Sequence, residues 1–145
     1  MHTMRQTFEQ LNVGDEVVRL VKLAITKVQL VRYAGASGDF NPLHTDDSVA
    51  QAAGFNGVVA HGMLLLAFMT EAVTSWIPRR WFKQIKTRFK SVSGSGDILT
   101  ITGVVKEKHI ENDSGIVTCE IQIADESNDV KASGTFQAAF PLGKE

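Results

Sequence analysis

The spacing of apolar residues changes along the chain, and this change separates the predicted elements into two groups. Residues 62–76 (GMLLLAFMTEAVTSW) are apolar nearly all the way round, which is typical of a helix buried in the middle of a domain. After Pro78, which ends this helix, apolar and polar residues alternate with the period of two expected for β-strands. Turn-forming residues separate four such strands, which we expect to form an antiparallel meander, over residues 82–91, 98–108, 116–125 and 130–140.

Shorter elements precede the long helix. Residues 16–24 are rich in Val and Leu and predict a strand. Thr26 suits the N-cap of a helix over residues 27–34, in which Val28 and Val31 share one side at helical spacing.

Glycine and proline then interrupt the pattern. Gly35 and Gly38 end the predicted helix. Pro42 lacks an N–H and biases Asn41 towards extended geometry, so we expect no helix through this loop. A short helix is predicted over residues 48–53.

These elements predict an α+β fold, in which a strongly curved antiparallel sheet wraps around one long central helix. The length of 145 residues suits a single domain that spans residues 1–145. We find no internal repeat, linker or low-complexity segment in the sequence.

Composition argues against several classes of function. The formal net charge of -1 gives no reason to expect a nucleic-acid partner. The longest apolar run, residues 63–69, is far shorter than the ~20 residues of a membrane span, and the N-terminus lacks the apolar core of a signal peptide. The single cysteine, Cys119, excludes an internal disulfide, and we expect a reducing cytoplasm.

One segment is strongly basic, with no acidic residue among its charges. A solvated strand face is the ordinary explanation, and a binding surface for phosphates or an acidic carrier protein is the alternative. The residues are Arg79, Arg80, Lys83, Lys86, Arg88 and Lys90.

Asp39 and His44 are the first candidates for chemistry. In isolation, Asp39 would be a turn former and His44 an ordinary half-buried histidine. The segment Asn41-Pro42 fixes the path between them and could direct both side chains into one space. A His–carboxylate pair can transfer protons, but the spacing alone leaves both interpretations open.

Gly62 begins the long helix, where free N–H groups carry partial positive charge and a missing side chain permits close approach. Such an amide could polarise a carbonyl, although glycine could equally serve tight packing. Thr70, two turns later, could support the Asp39/His44 pair or bond to its own helix. We expect His61 to be structural, fixing the turn by hydrogen bonding.

A metal site is the competing chemistry. His44, Asp46, Asp47 and His61 could supply ligands, but their spacing matches no standard zinc or calcium loop. Helix capping explains the two aspartates better, so we predict no metal.

At these residues the sequence resembles the MaoC-like branch of the hotdog-fold superfamily, which contains (R)-specific enoyl-CoA hydratases and (3R)-hydroxyacyl-thioester dehydratases. The resemblance implies a hotdog fold and the reversible syn addition of water to an enoyl thioester of CoA or acyl carrier protein, in fatty-acid metabolism. The matching residues are Tyr33, Ala34, Gly35, residues 37–44 (SGDFNPLH), Asp46, Ala53, Phe55 and residues 61–63 (HGM).

The resemblance also implies roles for single residues. Asp39 and His44 would activate the water, with Asn41 shaping their loop, and the N–H of Gly62 would polarise the thioester carbonyl. The family has a supporting serine where Thr70 stands here. Such enzymes need no metal or cofactor and assemble at least as dimers, whose two sheets join edge to edge.

Two other functions remain open. Some hotdog dehydratases pair an active subunit with a degenerate one, so the chain could be a subunit of a heterodimer or a non-catalytic acyl-thioester-binding protein. Retention of both Asp39 and His44 favours the catalytic half. A hotdog thioesterase shares the fold but lacks this loop.

Overall fold

The computed structural model describes residues 5–143 of the chain. The long elements are five strands and three α-helices, and single turns of 3-10 helix occur at Phe8–Gln10, Pro42–His44 and Arg79–Trp81. In chain order they are β1 (Glu16–Val21), α1 (Lys27–Ser37), α2 (Asp47–Ala52), α3 (Gly62–Trp76), β2 (Phe82–Phe89), β3 (Thr100–Glu111), β4 (Ser114–Ala124) and β5 (Val130–Pro141). The predicted long helix is confirmed at both ends.

All five strands pair antiparallel in one sheet with the order β1-β3-β4-β5-β2. The meander is confirmed for β3, β4 and β5, but the prediction that β2 continues it is wrong. β2 pairs with β5 at one edge of the sheet, and residues 90–99 carry the chain across to β3. A hairpin connection usually has two to five residues, so a connection as long as this one permits the crossing.

Two glycines allow the sheet to curve around α3. Gly103 pairs with Ile121, which pairs in turn with Gly134, so the three form one row across the sheet. A side chain on Gly134 would overlap the backbone carbonyl of Lys86, and one on Gly103 would lie 3.0 Å from the Cβ of Val18. The close approach of neighbouring strands therefore requires glycine at these positions.

Helix α3 fills the concave side of the sheet and contacts β1, β2, β3 and β4. Its buried residues belong to one hydrophobic core with the inward-facing residues of the strands. They are Leu64, Leu65, Phe68, Met69, Ala72 and Val73. Met63, Ala67 and Thr74 lie on the open side of the helix and are exposed. None of the helices within residues 5–143 is long and apolar enough to cross a membrane.

Helix α1 differs from its prediction in length and in its buried face. Thr26 caps it as predicted, accepting a hydrogen bond from the amide of Gln29 at 3.1 Å. The helix passes through residue 35 and ends only at Gly38, whose φ of 79° is accessible to a residue without Cβ. Val28 and Val31 are exposed, whereas Leu30 and Ala34 are buried.

Substitution of Gly134 by Ala should destabilise the fold because a backbone carbonyl cannot move aside as a flexible side chain can. We expect a loss of about 2–4 kcal/mol in the free energy of unfolding. The control is Gly35→Ala, since a Cβ at Gly35 meets nothing within 4 Å. That change should stabilise α1 by up to about 1 kcal/mol. Urea denaturation followed by circular dichroism measures both, and a Gly134→Ala protein as stable as wild type would contradict the proposed origin of the curvature.

Candidate active site

The loop after α1 is a rigid bend with a single turn of 3-10 helix. The side-chain oxygen of Asn41 accepts a hydrogen bond from the amide of Leu43 at 3.0 Å and so caps the turn Pro42–His44. The expectation of no helix through this loop is therefore wrong for this one turn. Proline is tolerated there because the first amide of a helix has no intrahelical partner. Asn41 thus shapes the loop that carries the two candidate catalytic residues.

Val59 holds the other side of His44. The amide of Val59 donates to the carbonyl of Leu43 at 3.0 Å, and Nδ1 of His44 lies 2.7 Å from the carbonyl oxygen of Val59. A carbonyl oxygen can only accept, so Nδ1 carries the hydrogen. The neutral imidazole therefore presents an unprotonated Nε2 on its opposite side.

That Nε2 faces Asp39. The distance from Nε2 of His44 to Oδ2 of Asp39 is 3.5 Å, while Oδ1 of Asp39 accepts from the amide of Asn41 at 3.2 Å. The carboxylate is 51% exposed and the imidazole 13% exposed, so one partner meets solvent and the other is held by the protein. The two side chains converge, and together they can hold a water molecule and exchange a proton with it.

His61 joins this pair to the start of α3. Its ring stacks on that of His44 with 3.7 Å between centroids, and Tyr33 packs edge-on against its ring at 4.8 Å. Nε2 of His61 donates to the carbonyl of Asp39 at 3.2 Å. His61 thus contacts both members of the pair, one through its ring face and the other through the backbone.

Burial favours the neutral form of His61. The residue is 2% exposed, and desolvation lowers the pKa of its imidazole below the ordinary 6.5. Its Nδ1 is buried with no hydrogen-bond partner among residues 5–143. The sequence predicted a hydrogen bond from His61 to the turn, but no spacing rule indicated that it stacks on His44.

Gly62 opens α3 directly after His61. The first helix amides with acceptors are those of Leu64 and Leu65, which both donate to the carbonyl of His61. Within residues 5–143 the amides of Gly62 and Met63 have no acceptor. They form a positively polarised helix end that can receive a carbonyl oxygen.

Within residues 5–143, no hydrogen bond joins the side chain of Thr70 to Asp39 or His44. Its hydroxyl donates to the carbonyl of Ala67 in its own helix at 2.9 Å, which is the second of the two roles that the sequence left open. A supporting role towards Asp39 and His44 stays a prediction.

The candidate metal ligands either have structural partners or belong to a stacked pair of rings. Asp46 caps α2 through the amide of Ser48, and Asp47 accepts from the amide of Val58, so both have structural partners. Asp39, His44 and His61 do place one ligand atom each within 4.8 Å of one another. The two stacked rings lie within 22° of parallel, however, so their in-plane lone pairs run side by side instead of converging on one ion.

The basic segment lies along the edge of the sheet. Lys83, Lys86 and Arg88 are exposed on β2, and the guanidinium of Arg80 lies over the ring of Trp81, 5.8 Å from its centroid.

The chain matches the family model described as MaoC like domain over residues 9–126. It is 31% identical over 107 residues to an (R)-specific enoyl-CoA hydratase of Rhodospirillum rubrum, a match that covers 70% of this chain and 73% of the relative. It is also 28% identical over 123 residues to a fatty acid synthase subunit beta of Gibberella zeae, covering 82% of this chain but only 6% of that much longer protein.

The fold matches solved structures as well. An R-hydratase of Pseudomonas aeruginosa in the unliganded form superposes with a TM-score of 0.82 at 25% identity, over 94% of this chain and 86% of the other. The predicted α+β hotdog fold is thereby confirmed. The family model covers most of the chain, and the chain belongs to the family of MaoC-like dehydratase domains.

Proposed function

We propose that the protein catalyses the reversible, (R)-specific hydration of trans-2-enoyl thioesters and the corresponding dehydration of (3R)-hydroxyacyl thioesters. The observation that carries this proposal is the approach of Nε2 of His44 to Oδ2 of Asp39 at 3.5 Å, with the tautomer of His44 set by the carbonyl of Val59. Free amides at the start of α3 supply the matching site for a thioester carbonyl.

In the direction of hydration, Asp39 and His44 hold the water and remove a proton from it as its oxygen bonds to the β-carbon. The electrons of the double bond move towards the thioester carbonyl, whose oxygen gains negative charge. The amide of Gly62 stabilises that charge. The pair then delivers a proton to the α-carbon, so that one water is added and the site returns to its initial state. No metal or cofactor takes part in this scheme.

The thioester is one of CoA or of an acyl carrier protein. Both present phosphate, and a carrier protein adds an acidic surface, so the exposed cations of β2 suit either. The chemistry is reversible. We further propose a cytoplasmic location, because the single cysteine, Cys119, forms no internal disulfide.

A non-catalytic acyl-binding subunit is the second candidate. Such a subunit would have no use for the preserved approach of Asp39 to His44, or for the tautomer imposed by Val59. If the chain pairs with a related hotdog protein, we therefore assign it the catalytic half. A thioesterase ranks lower and would release free CoA.

We further propose that two copies assemble edge to edge through β2. Within residues 5–143, β2 pairs with β5 on one side only, and an unpaired edge is a ready place for another strand. Large apolar side chains are exposed beside it and beside the candidate site: Phe40 is 68% exposed and Met63 59%. A second copy would cover such a surface.

Loss of either member of the pair should abolish most of the activity. Hydration of crotonyl-CoA, followed by loss of the enoyl-thioester absorbance, should fall about 10²–10⁴-fold in Asp39→Asn and in His44→Gln. Asp113→Asn and His109→Gln are matched controls on the exposed tip of the β3–β4 hairpin and should keep full rate. A wild-type protein inactive on enoyl-CoA and enoyl-carrier-protein substrates of every chain length, or an unimpaired Asp39→Asn, would contradict the proposal.

His61 should act as a positioning residue. His61→Phe retains a ring for stacking but loses the donor to Asp39, whereas His61→Gln retains a donor but loses the ring. We expect each to lower kcat about tenfold to a hundredfold with little change in KM, because substrate binding is unaffected while the pair is misaligned. Full kcat in both variants would show that the stack has no role in catalysis.

The same residue should affect stability at low pH. The pKa of His61 is lowered in the folded state, so the unfolded chain binds a proton first as pH falls through the ordinary value of 6.5. Stability attributable to the neutral imidazole is therefore present above that pH and lost progressively below it. Urea denaturation at a series of pH values should show a weaker acid dependence for His61→Phe than for wild type.

The assembly is tested by light scattering coupled to size exclusion. Wild type should show about twice the chain mass of 15.9 kDa. Met63→Glu should weaken association by placing a charge in the apolar surface, and a glutamate in the first turn of α3 suits the helix dipole. Ile110→Glu, at a residue 65% exposed near the far end of β3, is the control that should leave the mass unchanged. An active monomer at all concentrations would contradict this assembly.

A further inference from the structure

Phe89 lies against the start of α3. A Cβ placed on Gly62 would meet three carbons of the Phe89 ring at 3.3, 3.4 and 3.6 Å. Phe89 is the last residue of β2, and its ring is 48% exposed although it packs on the helix. The ring therefore fills the space that a side chain on Gly62 would take, while about half of the residue stays exposed.

The direction of this contact places the ring beside the free amides. In an α-helix the Cα–Cβ bond tilts towards the N-terminus, and the N–H groups of the first turn point the same way. A group that occupies the Cβ position of Gly62 thus stands next to the spot where an oxygen would accept from the amides of Gly62 and Met63. Any carbonyl bound there must come close to the ring of Phe89.

We propose that Phe89 is a substrate-positioning residue that forms the apolar wall of the thioester subsite and holds the carbonyl at the Gly62 amide. This inference rests on the proposed function. The ring excludes water from one side of the developing oxyanion, which strengthens the hydrogen bond from the amide. It contacts the part of the substrate that all chain lengths share.

That placement distinguishes Phe89 from a residue of the acyl groove. A residue that contacts the distal acyl chain affects long substrates more than short ones. A residue that contacts the thioester end affects all substrates alike.

The first experiment measures KM and kcat of Phe89→Ala with crotonyl-, trans-2-hexenoyl- and trans-2-octenoyl-CoA. We expect kcat/KM to fall about tenfold, by the same factor for each substrate, because a partly buried ring is lost from the side of the oxyanion. Phe89→Leu, which keeps an apolar group, should recover part of the loss. Ile110→Ala, another exposed apolar residue, should change neither constant.

An effect that grows with chain length would overturn the proposal, and so would unchanged constants in Phe89→Ala. Thermal unfolding and light scattering on the variant verify that fold and assembly are kept. If wild type hydrates none of the substrates, the proposed function itself is wrong. If wild type is active and Phe89→Ala has unchanged kinetic constants, only the inference about Phe89 is wrong.

The second experiment tests the contact between Phe89 and Gly62. Gly62→Ala should lower kcat/KM because the new methyl group displaces the ring by a few tenths of an ångström. In Gly62→Ala/Phe89→Ala the methyl group has room, so the combined loss should be smaller than the product of the two single losses. Strictly multiplicative losses would show that the two residues act independently, which contradicts a shared subsite.

Discussion

The packing of α3 into the curved sheet is the constraint from which the arrangement of the site follows. Its buried face is fixed by contacts with β1, β2, β3 and β4, and that fixes where the free amides of Gly62 and Met63 point. The curvature in turn depends on Gly103 and Gly134, where neighbouring strands approach too closely for a side chain. A requirement of the core thus positions a polar helix end at the surface of the molecule.

The candidate catalytic loop is connected to the start of α3 through uncharged groups, which hold His44 and Asp39 in place without forming ion pairs with them. The carbonyl of Val59 accepts a hydrogen bond from Nδ1 of His44. His61 stacks on the ring of His44 and donates a hydrogen bond to the carbonyl of Asp39. A charged residue at position 61 would bias proton affinity at Nε2 of His44. Burial favours the neutral form of His61, and Oδ2 of Asp39 lies 3.5 Å from that nitrogen. Under the proposed function, the pair would therefore exchange protons beside a neutral ring.

Much of this could be predicted from the sequence, because it depends on local patterns. The bounds of α3 follow from a continuous apolar run between a glycine and a proline, and Thr26 caps α1 by a short-range hydrogen bond. For Asp39 and His44 the loop sequence is compatible with convergence and with separate structural roles, and the tertiary structure brings the two side chains together. The position of β2 in the sheet could not be predicted, because the alternation of apolar and polar residues in a strand does not identify its neighbours. For α1, the pair Leu30/Ala34 and the pair Val28/Val31 are both apolar at helical spacing, and only tertiary packing decides which is buried. The stacking of His61 and the contact of Phe89 with Gly62 join distant segments and leave no local signal.

Polar groups that lack partners in the described chain lie at the start of α3. Buried polar atoms in folded proteins are nearly always satisfied, since an unpaired one costs free energy. Here Nδ1 of His61 and the amides of Gly62 and Met63 lie close together along the chain and have no partner within residues 5–143. The carboxylate of Asp39 next to them remains half exposed. A carbonyl oxygen accepts from amides, and a water molecule both donates and accepts. Under the proposed function, a thioester and a water molecule bound together would therefore supply the kinds of partner that these groups lack.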